Sequence, residues 1–342
     1  MSTDTNLDLA AVDRYLSANL SGYEGPLEAK KFAVGQSNPT FELRTPSNTY
    51  VLRRKPPGVL LKSAHAVDRE FRVQSALAGS QVPVPNMFLL CEDDRVIGSA
   101  FYVMERLHGR IFPEPTLQGE SNETRTAVMD EMNRVLAQLH MVDIDAVGLS
   151  DYGPSGNYYE RQIARWTKQY RASETSVIED MDALVSALGN SVPEDDGQRT
   201  LVHGDYRIDN LMFASNGTGC IGVLDWELST IGHPYADLAA VIMQWQLPPG
   251  NQGRGLAGID RESLGLPCDQ DFVARYCKRR GLGGIDNFGF YLAFNFFRMA
   301  GILQGVYKRA LDGNASDPER AKAYGAYVPL FAQHGLKALR GT

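Results

Sequence analysis

One stretch constrains this chain more than any other. It runs Leu201-Val-His-Gly-Asp-Tyr-Arg-Ile-Asp-Asn-Leu-Met-Phe213, followed by Ile221-Gly-Val-Leu-Asp-Trp226. Short apolar runs bounded by polar turn residues read as short buried strands. His203, Asp205 and Asn210 therefore sit on a loop between two such runs, and Asp225 closes the next one. The pattern presents a carboxylate, an amide oxygen and a second carboxylate from one local piece of backbone.

Transfer of a phosphoryl group from a nucleotide needs a set of this kind. One carboxylate holds the acceptor hydroxyl, while an amide oxygen and another carboxylate hold Mg²⁺. Protein kinases carry H-R-D-L-x-x-x-N and then D-F-G. Here the reading is H-G-D-Y-R-I-D-N and then Leu224-Asp225-Trp226, with the same steps from His to Asp and from Asp to Asn. The H-G-D form resembles the aminoglycoside phosphotransferase and choline kinase-like family. The longer wording, with Val223-Leu-Asp-Trp-Glu-Leu-Ser-Thr230 and Asp237-Leu-Ala239, is similar to the phosphotransferase domain fused to some acyl-CoA dehydrogenases.

The resemblance extends from about Phe32 to Leu330. It implies an α+β, two-lobed protein kinase-like fold: an N-terminal nucleotide-binding lobe (1–106) with an antiparallel sheet and one helix, and a mainly helical catalytic and substrate-binding lobe (107–342). It implies ATP as donor with Mg²⁺. Asp205 would be the catalytic base, Arg207 would lie near the γ-phosphate, and Asn210 and Asp225 would bind the metal. His203 reads as architectural, and Asp237 as a cap or brace for the helix that follows it. In the first lobe, the Gly35–Pro39 turn reads locally as a hairpin tip, and the resemblance gives Ser37 and Asn38 nucleotide contact. Tyr50-Val-Leu-Arg-Arg-Lys55 ends with Arg53 where kinases place a Lys, a departure that keeps the charge but changes its shape. Arg54 or Lys55 could serve instead. Glu70, on a helix opened by Ser63, is the expected partner of Arg53. Met104 would line the back of the nucleotide pocket, with the backbone from Glu105 to Leu107 meeting the adenine. A strand pair is expected over Met87–Cys91 and Val96–Met104.

Composition limits the rest. The 342 residues are 43% hydrophobic with a net charge of −7, which disfavours a nucleic-acid partner. Cys91, Cys220, Cys268 and Cys277 form no C-x2-C pair and read as reduced thiols of a cytoplasmic protein. The acidic N-terminus argues against a secretory signal. The most apolar run, Phe288–Val306, is interrupted by Asn295, Arg298 and Gln304, so it reads as a buried helix and no membrane partner is expected.

The second lobe should contain helices over Arg125–His140, Tyr159–Tyr170, Ser176–Leu188, Asp271–Arg280, Phe288–Ala310 and Pro318–Leu339, the last broken or kinked at Pro329. Leu247–Pro267 reads as a substrate-side lid. Asn295 and Arg298 share a helix face and point either into an acceptor pocket or into a satisfied buried pair. Almost no activation segment follows Gly232, which favours a small-molecule hydroxyl substrate. Two alternatives stand beside this reading. An aminoglycoside-modifying enzyme would need an acidic trap for a polycation, and Leu247–Arg298 mixes both signs of charge. A non-catalytic nucleotide-binding module is suggested by Arg53 and the glycine-poor first turn. The N-terminal helix and the apolar second lobe permit a homodimer.

Overall fold

The structure is a computed structural model that describes residues 7–32, 38–56, 66–250, 253–315 and 317–341. Its first helix, α1 (Leu9–Asn19), is capped by Asp8, whose carboxylate accepts from the Ala11 N–H at 2.9 Å. Then come β1 (Glu28–Lys31), β2 (Thr40–Arg44), β3 (Thr49–Arg54), α2 (Val67–Ala76), β4 (Met87–Cys91) and β5 (Phe101–Glu105). The five strands form one sheet in the order β1-β2-β3-β5-β4, every neighbouring pair antiparallel. Period-two alternation sorts their side chains. Phe41, Leu43, Leu52, Phe101 and Val103 pack with Val12 and Leu16 of α1. Tyr102 and Met104 pack with Val67 and Phe71 of α2.

Two local expectations shift. The strand leaving the acidic turn begins at Phe101 rather than Val96. Val96 and Gly98 donate back to the carbonyls of Asp93 and Asp94, and Gly98 is left-handed with φ 82°. That conformation suits a glycine turn rather than a strand. Helix α2 is described from Val67, and Ser63, the expected cap, lies outside the described residues, as does Ser37.

The chain continues through β6 (Gly109–Ile111), α3 (Asn122–Leu139), α4 (Tyr158–Ser173), α5 (Glu179–Asn190) and β7 (Thr200–Val202). A 3-10 turn at Ile208–Asn210 opens β8 (Leu211–Ala214), which is followed by β9 (Cys220–Val223). These two make an antiparallel sheet with β6, in the order β6-β8-β9. A Cβ at Gly109 would collide with the Phe213 carbonyl, so the close approach of β6 to β8 requires glycine there. β10 (Thr230–Gly232) returns to pair with β7. The remainder is helical: α6 (Tyr235–Trp245), α7 (Asp269–Arg280), α8 (Phe288–Leu311), α9 (Pro318–Ala323) and α10 (Tyr327–Leu339). Helix α8 is the hub, packing against α4, α5, α6, α9 and α10. The last helical run breaks at a 3-10 turn, Tyr324–Ala326, and Pro329 falls in the first turn of α10, where its missing N–H costs no bond.

The chain divides into two compact units, but not at one point. The first comprises the residues up to Phe112 together with Ile144–Leu149 and Ile208–Ser229, so it takes in the β6-β8-β9 sheet. The second comprises Pro113–Asp143, Ser150–Arg207 and the residues from Thr230 on. In the expected lid, Leu256 and Leu266 are buried, the Leu256 N–H donates to Trp245 and Arg261 pairs with Asp269. The described part of that loop is thus anchored to α6 and α7. Among the described residues no helix is long and apolar enough to cross a membrane.

Candidate active site

In the first unit the site grows from the alternation of β3. Leu52 points to the α1 face and Arg53 to the α2 face, so Arg53 meets the helix that carries Glu70. Its Nε lies 3.1 Å from Glu70 Oε2, and its Nη2 lies 2.6 Å from Asp225 Oδ1. Glu227, which sequence reasoning did not single out, stands 3.8 Å away. Arg54 faces the other way, over the Phe41 ring and towards the Ile97 carbonyl, and Lys55 pairs with Asp68. Of the three basic candidates, Arg53 is the one that reaches Glu70.

Glu70 is 1% exposed. Besides Arg53 it accepts from the Asn38 side-chain amide at 2.8 Å and from the Tyr102 hydroxyl at 3.0 Å. Asn38, expected at the nucleotide, thus has its side chain on Glu70. Burial pushes the Glu70 carboxyl up to about 7 against the pull of Arg53, with Asp225 adding to the rise. Burial works against the Arg53 charge, but Glu70, Tyr102 and Asp225 outweigh it and hold the guanidinium above its ordinary range. Asp225 itself has left-handed backbone, φ 65° and ψ 61°, a conformation that costs a non-glycine residue of order 1 kcal/mol or more and concentrates at functional sites. The Leu224 N–H donates to the Asn210 carbonyl at 2.8 Å, which ties the Asp225 segment to the Asn210 turn. Met104 is half-buried opposite Val51. The Glu105 N–H donates to Asn86, its carboxylate accepts from Asn86 at 2.7 Å, and the Leu107 carbonyl accepts from the Arg106 guanidinium. The Leu107 side chain lies against Gly222.

In the second unit β7 delivers the loop that carries Asp205. Asp237, fully buried in the first turn of α6, accepts from the His203 N–H at 2.6 Å and from the Gly204 N–H at 2.8 Å. It therefore braces the preceding loop rather than capping the helix that follows it. Behind it, His140 Nε2 lies 3.4 Å from Asp237 and Nδ1 lies 2.7 Å from the Tyr276 hydroxyl. Burial would raise the Asp237 carboxyl, yet His140 and the backbone donors hold it below its usual value. Burial keeps His140 below its usual value as well.

The Gly204 carbonyl accepts from Arg298 Nη2 at 3.0 Å. The buried Tyr206 hydroxyl donates to the Met132 carbonyl, and His203 Nδ1 accepts from the Asp205 N–H. With its neighbours pinned, Asp205 keeps 36% of its side chain exposed, 3.3 Å from Arg207 Nε. Asn295 bonds to the carbonyls of Ala236 and Tyr291 and is structural. The bracing by Asp237 and Arg298 left no local signal, because both lie far along the sequence from the loop they hold.

Each unit thus holds its own part of the motif: in one, Asp205 follows a peptide braced by Asp237, and in the other, Asp225 is joined through Arg53 to the buried Glu70. The chain belongs to the phosphotransferase enzyme family, whose pattern matches residues 28–272. It is 46% identical over 90% of its length to acyl-CoA dehydrogenase family member 10 of Mus musculus, covering 29% of that protein. It is 42% identical over 98% of its length to acyl-CoA dehydrogenase family member 11 of Homo sapiens, covering 43%. The chain thus spans less than half of these curated relatives. A crystal structure from Ralstonia eutropha, named provisionally as an aminoglycoside phosphotransferase, is 47% identical with a TM-score of 0.90, covering 98% of this chain and 99% of that one. APH(4)-Ia, solved with AMP-PNP and hygromycin B, is 16% identical with a TM-score of 0.62 over 97% of this chain and all of that one, and it shares the fold.

Proposed function

We propose that this chain is an ATP-dependent phosphotransferase that moves the γ-phosphate to a hydroxyl of a small molecule. The observation that carries the reading is the Gly204 peptide, held at its N–H by Asp237 and at its carbonyl by Arg298 while the next side chain, Asp205, stays accessible. A carboxylate presented on pinned backbone can orient a hydroxyl and accept its proton as the new oxygen–phosphorus bond forms and the bond to the leaving ADP oxygen breaks. Arg207, now beside Asp205, would turn to the γ-phosphate oxygens.

Asn210 and Asp225 supply oxygen donors of the type Mg²⁺ prefers. Among the described residues no cluster of three or more His, Cys, Asp or Glu could hold a metal. Mg²⁺ commonly takes one or two protein ligands and completes its shell with phosphates and water. When bound, Mg²⁺ would neutralise charge on the phosphates. Arg53, oriented by Glu70, would hold phosphate oxygens, and Asn38 would act through Glu70. Ser37 would cover the phosphates, and Met104, Glu105 and Leu107 would receive the adenine. The names of the longer relatives favour a hydroxylated acyl compound or its CoA ester as acceptor.

The test is transfer of labelled γ-phosphate from Mg-ATP into a pool of hydroxylated metabolites. Asp205→Ala is expected to lower transfer by about 10²- to 10⁴-fold. Undiminished transfer by the variant would overturn the role of Asp205, and absence of transfer by the wild type would overturn the activity.

A further inference from the structure

Helices α4 and α8 carry three guanidinium groups, of which Arg298 reaches the loop that carries Asp205. Arg161 and Arg165 are four apart on α4 and so share a face. Arg165 lies over the Trp166 ring, 5.7 Å from its centroid, and Arg298 of α8 lies 5.8 Å from the same centroid. Two cations therefore share one indole. Arg298 also reaches the Gly204 carbonyl, and Arg161 Nη1 bonds the Ser155 carbonyl at 2.7 Å and the Gly156 carbonyl. None of the three forms an ion pair with a described carboxylate, although Arg161 lines a cavity with Glu194, Asp195 and Asp196. Arg161 and Arg298 are half-buried and Arg165 is exposed; the half-buried Arg53, Arg106, Arg261 and Arg279, by contrast, each have a carboxylate partner. The Tyr158 phenol, raised by burial, is acted on by all three charges. The buried Trp166 Nε1 is a further donor with no protein acceptor.

Gathering like charges around partly buried aromatic side chains is unfavourable unless an anion completes the set. A guanidinium stacked on a ring keeps its edge donors for a carboxylate or phosphate, which it grips through two parallel bonds. We propose that Arg161, Arg165 and Arg298, with Trp166, form an anion-binding subsite for the acceptor, so that the phosphorylated hydroxyl compound carries a carboxylate or phosphate group. This rests on the phosphotransferase reading for the word acceptor; the anion site itself does not. Because Arg298 also holds the peptide before Asp205, occupation of the subsite would fix the base and the acceptor together.

The test uses the full chain with saturating ADP, so that the nucleotide site is filled, and follows tryptophan fluorescence. Trp226 and Trp245 are each 1% exposed, and Trp166→Phe identifies the signal that belongs to Trp166. Inorganic pyrophosphate and malonate are the two probes, one for a phosphate source and one for a carboxylate source. Saturable quenching by either is expected, weakened about tenfold in Arg161→Gln and in Arg165→Gln with thermal midpoints unchanged, as the loss of one charged hydrogen bond implies. Transfer assays on hydroxyl compounds with and without an anionic group should show KM for the anionic set rising about tenfold in Arg165→Gln, while KM for ATP stays fixed. No saturable response to either probe, or equal responses in the variants, would overturn the subsite. So would transfer to neutral hydroxyl compounds as efficient as to anionic ones. Anion binding that depends on these arginines without transfer to any hydroxyl would end the phosphotransferase reading and leave the anion site in place.

Discussion

Arg53 holds one guanidinium between carboxylates of different kinds: Glu70, sealed in the core, and Asp225, at 37% exposure. A fork of donors spans both at once, which a lysine ammonium on a flexible stem does less well. Its replacement of the usual lysine is therefore compatible with a working phosphate site. Truncating it as Arg53→Met would leave Glu70 buried beside other carboxylates. The expected loss is about 3–5 kcal/mol, read as a lower denaturant midpoint at unchanged m-value, whereas Arg53→Lys should recover part of it. The pairing with Glu70 was legible because a basic strand end and a mid-helix glutamate recur at familiar positions in the resembling family. The bond from Asn38 to Glu70 was not legible. It joins residues 32 apart through a buried amide, and a short turn rich in small polar residues reads just as well as a surface hairpin.

At the scale of elements, strands and helices followed from periodicity wherever a buried face repeats. The five-stranded sheet, α3, α4 and α8 are of this kind. What escaped lies where tertiary bonds replace local pattern. Asp237 occupies a first-turn position that suits a cap, and only the fold reveals that its two oxygens face back to the His203 and Gly204 amides. Asp237→Ala would orphan both donors and remove one of the two partners of buried His140. Each buried unsatisfied group costs about 1–3 kcal/mol, so clear destabilisation is expected in thermal unfolding. Asp237→Asn, which keeps one acceptor, should be milder for stability, and its transfer rate should still fall because the loop bearing Asp205 loses one of its anchors. A rate unchanged in Asp237→Asn would show that bracing of the loop is not needed for turnover.

For the whole molecule, acid sensitivity follows from the histidines. His140, His233 and His334 all sit below the ordinary histidine value, with burial the largest cause for each. Such groups are neutral when folded and protonate more readily once unfolded. Their stabilisation is thus complete above about pH 6.5 and is lost as pH falls from there through their folded values, by up to about 1.4 kcal/mol per pH unit for each proton taken up. Glu70, raised to about 7, binds its proton in the folded state over the same range and opposes this loss. The histidine contribution is therefore read by comparison: the unfolding midpoint of His334→Gln should fall less from pH 7 to pH 5 than that of the wild type, and equal changes would contradict it. Net charge and core size were legible in the composition, whereas this pH dependence needed burial that no composition reveals. The division into units was also only partly legible, since the motif around Asp205 reads as one continuous stretch while the chain passes from one unit to the other after Arg207. The path of the chain is that of a running stitch, entering each unit three times. Neither unit is therefore one uninterrupted segment that could be copied, moved or shortened alone, and a gene fusion that carried this catalyst elsewhere would have to carry the whole seam.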